Sequence, residues 1–272
     1  MDELEGLTGD IFLNELQNIT TAIPMMGCAG NHEQAFNFSH YTNKFSAWNY
    51  VSDPKGPRDN NWWFSFDVAS GGANVHFISL DSELYYFSYY EPLASPERVR
   101  NYQTMIQAQW EWLVADLAAA YDSGKYDWIV AFAHRPLYCS NVDDVDDCTK
   151  DTELLRNGFQ GKYGWDEAFA TRPLDFYFAA HEHSYERLLP VGPNGTIDHG
   201  SVANNNLYIN PKYPAHVITG SAGCREYFDW FDEVHYGSVG QTHTAAPARG
   251  IRNLNSLLLL LALCLLIWFS FD

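Results

Sequence analysis

Basic residues are scarce in this 272-residue chain, in which 16 lysines and arginines stand against 34 aspartates and glutamates, a formal net charge of −18 at pH 7. A general nucleic-acid binder needs cations to neutralise phosphates, so this balance argues against a nucleic-acid partner. It does not exclude an enzyme that handles phosphate, because bound metal ions can supply the positive charge. With 46% apolar residues, the chain can bury the core of one large α/β domain or two small ones.

Cysteine pairs of the Cys-x-x-Cys type are also missing, which excludes a zinc ribbon. Cys139 and Cys148 flank a short acidic loop, where a local disulfide is plausible. Asn-x-Ser/Thr sequons occur at Asn18, Asn37 and Asn194. The sequons and the possible disulfide together favour a secreted or luminal protein.

Neither end of the chain carries a standard targeting or membrane signal. The first residues have no basic start and no apolar stretch, so they predict no signal peptide. The apolar run from Leu257 to Phe269 is shorter than the roughly 20 residues that span a bilayer. Three interpretations stay open: a short or tilted membrane anchor, a lipid-anchor signal, or a packed C-terminal helix or read-through tail without a role.

Hydrophobic periodicity predicts strands that alternate with helices, which is typical of an α/β fold. The predicted helices cover residues 11–23, 103–121 and 163–171. The predicted strands cover residues 62–68, 75–80, 127–133, 174–180 and 215–219. Residues 192–214 and 235–252 are rich in Gly, Pro, Asn and Thr and are predicted to be loops.

Polar residues follow three predicted strand ends, where α/β folds build their sites. Asn31 and His32 lie in the first of these segments, His134 lies in the second, and His181 and His183 lie in the third. Two histidines two residues apart lie on one side of an extended segment, and imidazole suits Zn, Fe or Mn. Each motif alone also fits a packed histidine or a simple turn, but their succession predicts a metal site.

The order of these motifs resembles a known family. Gly30-Asn31-His32-Glu33, Ala133-His134-Arg135-Pro136 and Ala180-His181-Glu182-His183 are similar to motifs of the metallophosphoesterases, and more narrowly of the animal long-form purple acid phosphatases. The resemblance runs from about residue 5 to about residue 225. It implies a metallophosphoesterase-type β-sandwich flanked by helices, an Fe(III) ion paired with Fe, Zn or Mn, and hydrolysis of small phosphate monoesters at acidic pH.

The resemblance also implies a role for each matching residue. Asn31, His134 and His181 match ligands of the divalent metal, and His183 matches a ligand of the ferric ion. His32 matches the histidine that contacts the phosphate and protonates the leaving group.

Three further ligands of the family, an Asp in D-x-G and the Asp and Tyr of G-D-x-x-Y, have no match in this sequence. Gly9-Asp10 is not the second motif, because Leu13 stands where the Tyr is needed. We therefore expect an incomplete fold without the upstream strands and the N-terminal β-domain. The expected organisation is a partial catalytic domain (1–234), a linker (235–255) and an apolar tail (256–270), with little or no phosphatase activity.

Two alternatives stay open beside the phosphatase. One is a non-catalytic, membrane-tethered or binding relative on the same scaffold, which the missing Asp and Tyr ligands and the apolar tail favour. The other is a phosphodiesterase or nucleotide pyrophosphatase of the same superfamily. An acidic cluster precedes Cys148 and is predicted to be a solvated loop, with a minor cation site as the alternative; its residues are Asp143, Asp144, Asp146 and Asp147.

Overall fold

A central β-sheet organises the part of the chain that the computed structural model describes, residues 6–34, 36–46, 61–141, 147–204 and 207–220. In chain order the strands are β1 (Phe64–Ser70), β2 (Ala73–Ser79), β3 (Trp128–Phe132), β4 (Gly158–Phe159), β5 (Lys162–Tyr163), β6 (Phe176–Ala179), β7 (Tyr185–Arg187), β8 (Val191–Gly192), β9 (Thr196–Ile197), β10 (Val202–Asn204), β11 (Leu207–Tyr208) and β12 (Ala215–Thr219). The helices are α1 (Leu7–Thr20), α2 (Ser39–Lys44), α3 (Phe87–Tyr90), α4 (Pro96–Ser123), α5 (Thr152–Asn157) and α6 (Trp165–Thr171).

Six strands form the main sheet in the order β1-β2-β3-β6-β12-β7. The strands β2, β3, β6 and β12 run parallel to their neighbours in this set, whereas β1 and β7 pair antiparallel at the two edges. The carboxyl ends of the four parallel strands therefore meet at one edge of the sheet. Three two-stranded sheets accompany it, formed by β4-β5, β8-β9 and β10-β11.

The longest helix, α4, crosses from β2 to β3 and has clear local start and stop signals. Ser95 caps its first turn by accepting a hydrogen bond from the Arg98 N–H, and Pro96 occupies the first helical position. Gly124 ends the helix in the left-handed conformation at φ 61°. The buried face of α4 packs with the sheet in one hydrophobic cluster.

Apolar side chains cover both faces of the main sheet. Because side chains alternate along a strand, Ile129 and Ala131 of β3 belong to the cluster with α4 and α6, whereas Val130 and Phe132 belong to a second cluster with α2. Strands that are buried on both faces are typical of parallel sheets between helical layers. The predicted α/β class is thereby confirmed.

Several predicted elements differ from the structure in their bounds. The helix predicted over 103–121 begins seven residues earlier, at Pro96, and the helix predicted over 11–23 runs from Leu7 to Thr20. The prediction of a loop over 192–214 was wrong, because short strands from β8 to β11 lie there. Strand β7 was not predicted, because three residues are too few to show the alternation of apolar and polar side chains that indicates a strand.

The predicted disulfide between Cys139 and Cys148 is present. The tail from Leu257 to Phe269 lies outside what the structure describes, as do Asp143, Asp144, Asp146 and the side chain of Asp147. Within the described ranges, no helix is both long and apolar enough to cross a bilayer.

Candidate metal centre

Two histidine rings meet at the carboxyl edge of the main sheet. His134 follows β3 and His181 follows the parallel strand β6, and the Ala180 N–H donates to the His134 carbonyl at 2.9 Å. This pairing brings His134 Nε2 to 3.1 Å from His181 Nδ1. The structure thus brings together two of the four residues that the sequence analysis names as metal ligands.

Burial keeps both rings neutral. It lowers the pKa of His134 to about 4, with the nearby Arg135 charge acting in the same direction and the Glu83 charge acting against it. Burial, followed by the Arg135 charge, also lowers the pKa of His181 well below its ordinary value. A neutral imidazole has a lone pair to offer, so both rings are suited to bind a metal ion.

The backbone around His181 is strained. His181 has φ 64°, which is uncommon for a residue with a side chain. The Glu182 N–H donates to the Ala180 carbonyl at 2.7 Å, closing a γ-turn around His181. Gly220 packs against this turn so closely that an added Cβ would lie 2.0 Å from the Glu182 carbonyl oxygen. Strain of this kind persists where the surroundings enforce it, and it concentrates at functional sites.

A tight turn places Asn31 and His32 beside His134. They lie on the 3₁₀ turn Asn31–Gln34, directly after Gly30. A Cβ at Gly30 would lie 2.9 Å from His134 Nδ1, so only glycine permits this approach. The charges of His32 and His183 both act on the pKa of His134, so these residues lie within electrostatic range.

Arg135 braces the histidine pair, a role that the motif analysis missed. Its Nη1 lies 2.9 Å from His181 Nε2, and its Nε contacts the two carboxylate oxygens of Glu83 at 3.1 and 3.2 Å. Its Nη2 donates to the Tyr90 hydroxyl at 2.9 Å, and its Cζ lies 4.1 Å from the ring centroid of Tyr86. Since arginine only donates, His181 Nε2 accepts, and in this arrangement the His181 proton lies on Nδ1, facing His134. An ion held by Nδ1 would require this proton to move to Nε2 and the Arg135 contact to change.

Buried carboxylates support the neighbouring loop. The Ser140 N–H and hydroxyl donate to the two oxygens of Glu186 at 3.1 and 2.5 Å, and the Asn141 amide donates to Glu182. Burial raises the pKa of Glu186 to about 7, although the Ser140 hydrogen bonds act to lower it. Ser140 and Asn141, next to the disulfide-bonded Cys139, are thereby held against the segment that carries His181 and His183.

The histidine pair fits a metal ion by its spacing. Two imidazole nitrogens that bind one ion at 2.0–2.1 Å and at about a right angle are roughly 3 Å apart, which agrees with the observed 3.1 Å. Asn31, His134, His181 and His183 are all neutral ligands. The one described cluster of His, Cys, Asp or Glu with metal-like spacing, Cys139, Cys148 and Glu182, is no such site, because both sulfurs belong to the disulfide.

The mixed sheet, the histidine edge and the order of the motifs point to one protein family. The sequence profile of the calcineurin-like phosphoesterases matches residues 5–185, and the chain belongs to this family. Membership implies a two-metal centre.

Among its relatives, acid phosphatase type 7 of Mus musculus is 38% identical over 229 residues, covering 83% of this chain and 46% of that protein. An acid phosphatase of Aspergillus ficuum is 28% identical over 301 residues, covering 84% of this chain and 46% of that protein. The chain thus spans about half the length of these relatives. A purple acid phosphatase from yellow lupin seeds shares the fold, with a TM-score of 0.56 and 18% identity over 86% of this chain and 37% of that one.

Proposed function

We propose that this chain forms part of a metal-dependent acid phosphatase that hydrolyses small phosphate monoesters. The observation that carries the proposal is the approach of His134 Nε2 to His181 Nδ1 at the carboxyl edge of the sheet, beside the turn with Asn31 and His32. The names of the relatives support the same reaction.

The proposed roles follow the positions of the side chains. Asn31, His134 and His181 would hold a divalent ion (Zn, Fe or Mn), and His183 would contribute to an iron site. When bound, the ions would supply the positive charge that phosphate oxygens require and would activate water. His32 would contact the phosphate and pass a proton to the departing oxygen, a general-acid role that suits an imidazole.

The low pKa values of His134 and His181 suit work at acidic pH. Metal ligands compete with protons, and a histidine of ordinary pKa is largely protonated at pH 5. Since burial first of all holds the pKa of His134 at about 4, this ring still offers its lone pair there. The site would thus keep its ligands at a pH that protonates an exposed histidine.

The proposed location is a secreted or luminal compartment. The disulfide between Cys139 and Cys148 supports an oxidising environment. We further propose N-glycosylation at Asn194, which is exposed in the turn between β8 and β9. The run from Leu257 to Phe269 would attach the protein to a membrane.

A second candidate function is binding without turnover. It is favoured by the donor set, because the four proposed ligands are neutral and a two-metal centre needs carboxylates to offset its charge. The contact of Arg135 with His181 Nε2 adds a fixed positive charge beside the site.

Metal content and turnover of p-nitrophenyl phosphate separate these candidates. A complete phosphatase centre predicts two metal ions per chain after addition of iron and zinc, with turnover at pH 5. The impaired centre that the missing Asp and Tyr ligands lead us to expect predicts fewer ions and little or no turnover. Where turnover is found, His32→Gln should lose most of it and keep its metal, whereas His181→Asn should lose both. His199→Gln, at an exposed position, is the matched control. One ion or none, without turnover in any preparation, would refute a working phosphatase centre in this chain and favour the impaired centre or the binding relative.

A further inference from the structure

A groove separate from the histidine edge lies between α4 and the β4-β5 hairpin. It has a volume of about 330 Å³, within the range of small-molecule sites. One stripe of α4 forms its first wall, with Arg100, Gln103, Thr104 and Gln107 at the spacing of a helix face. None of the proposed metal ligands lines it.

The charge of this groove is opposite to that of the chain. Arg100 and Lys162 line it, and no acidic residue does, although acids outnumber bases by 34 to 16 in the sequence. Some other described cations are paired on the surface, such as Arg98 with Glu91 and Arg172 with Asp122. Among the residues that the structure covers, Arg100 and Lys162 form no such ion pair, so both charges are available to an anion.

The floor of the groove is flat and apolar. Ile106 is buried there, and the rings of Phe159 and Tyr163 are half-buried. Phe159 packs on Phe87 with ring centroids 5.1 Å apart, and Tyr163 packs on Trp110 at 5.8 Å. Because each ring is already held by its packing partner, a ligand that stacks on it would cost little side-chain entropy.

The second wall is a strained hairpin that the core holds in place. Gln160 has φ 56° and Tyr163 has φ 63°, both in the left-handed region. The Tyr85 hydroxyl donates to the Tyr163 carbonyl at 2.6 Å and ties the hairpin to the core. The hydrogen bond to Tyr85 and the turn conformation at Gln160 give this wall a defined geometry.

We propose that this groove binds a nucleoside monophosphate, an anion attached to a flat ring. Arg100 and Lys162 would pair with the phosphate, and Phe159 and Tyr163 would support the ring. The amides of Gln103 and Gln160 both donate and accept, which suits the edge of a base. A simple inorganic anion would use only the two cations, and a neutral nucleoside would use only the rings and amides.

The test is equilibrium binding to the full chain, with the methylene phosphonate analogue of AMP as the probe. A phosphatase cannot cleave its carbon–phosphorus bond, so binding is measured without turnover. We expect Lys162→Glu and Arg100→Glu each to weaken binding at least tenfold. Lys125→Glu, at an equally exposed lysine outside the groove, should change it less than twofold. Adenosine and inorganic phosphate should each bind at least tenfold more weakly than the probe.

Two results would overturn the proposal that this groove binds a nucleoside monophosphate. Equal affinity of the Lys162 and Lys125 variants would show that the groove cations do not bind the probe. Complete loss of binding in His181→Asn, with the Lys162 variant unchanged, would place all binding at the histidine edge. Because His181→Asn also reports on turnover, a missing phosphatase activity and an empty groove give different results. The Arg100, Lys125 and Lys162 variants change exposed residues, and circular dichroism verifies the fold of every variant, His181→Asn included.

Discussion

Replacing Arg135 with methionine removes the guanidinium that pairs with the buried carboxylate of Glu83. Burial acts to raise the pKa of Glu83, but the charges of Arg135 and His134 and the hydrogen bonds from Tyr90 and Ser82 outweigh it, and the pKa lies below its ordinary value. Removing one partner of a buried ion pair costs about 3–5 kcal/mol. Since Tyr90 and Ser82 still donate to Glu83 at 2.7 and 3.0 Å, we expect about 3 kcal/mol.

The size of this loss depends on pH. In the wild type the pKa of Glu83 is lowered, so the stability it contributes is present above its unfolded pKa and lost as the pH falls through the folded value. In Arg135→Met burial dominates and raises the pKa of Glu83 above its ordinary range. The variant is therefore least stable at neutral pH and recovers as Glu83 becomes protonated. The difference between the two proteins should shrink towards pH 4.

Urea unfolding followed by circular dichroism measures the loss at pH 7 and at pH 4. Arg172→Met is the matched control, because its ion pair with Asp122 is exposed to solvent and should change the stability far less than Arg135→Met does. Glu83→Gln/Arg135→Met should be more stable than Arg135→Met alone, since the unpaired charge is gone. A loss below about 1 kcal/mol at pH 7, or an equal loss at both pH values, would refute the reasoning.

Three further predictions concern stability. Replacing Cys139 and Cys148 with serine opens a loop with a sequence separation of 9 and should lower the free energy of unfolding in urea by about 3 kcal/mol. His76→Leu should cost a similar amount in the same assay, about 3 kcal/mol, because it removes the ring whose Nε2 lies 2.8 Å from the buried Asp116 carboxylate; a loss below about 1 kcal/mol would contradict that contact. Burial raises the pKa of Glu186 to about 7, so the buried carboxyl group resists losing its proton as the pH rises. Between pH 5 and pH 8 the free energy of unfolding of the wild type should therefore fall by about 2 to 3 kcal/mol relative to that of Glu186→Gln. If the two free energies change with pH in parallel, Glu186 does not have a raised pKa.

The histidine pair was predictable from the sequence because its two members follow buried strands. Strands of this type run parallel, so their carboxyl ends share an edge. The direct pairing of β3 with β6, which the sequence does not indicate, then brings His134 and His181 together. The first residues of α4 carried a usable signal as well. Ser95 followed by Pro96 and Glu97 is a typical helix start, whereas periodicity alone placed the start at residue 103.

Other features of the site have no local signal. Arg135 and Glu83 are 52 positions apart in the sequence, so nothing near either residue indicates the pair. The left-handed conformation of His181 is likewise enforced from outside, by the close packing of Gly220 on the following turn. Tertiary contacts of this kind override local preference, and a sequence read segment by segment misses them.

The charge distribution connects the two candidate sites. With a net charge of −18, most of the surface repels phosphate esters, so binding depends on places where positive or neutral groups face solvent. At the histidine edge the proposed ligands are neutral and the Arg135 charge is paired with Glu83, so further positive charge would come from bound metal. In the groove, Arg100 and Lys162 supply it directly. The first site is thus dependent on metal and the second is not, which is why the two proposals are separable by experiment.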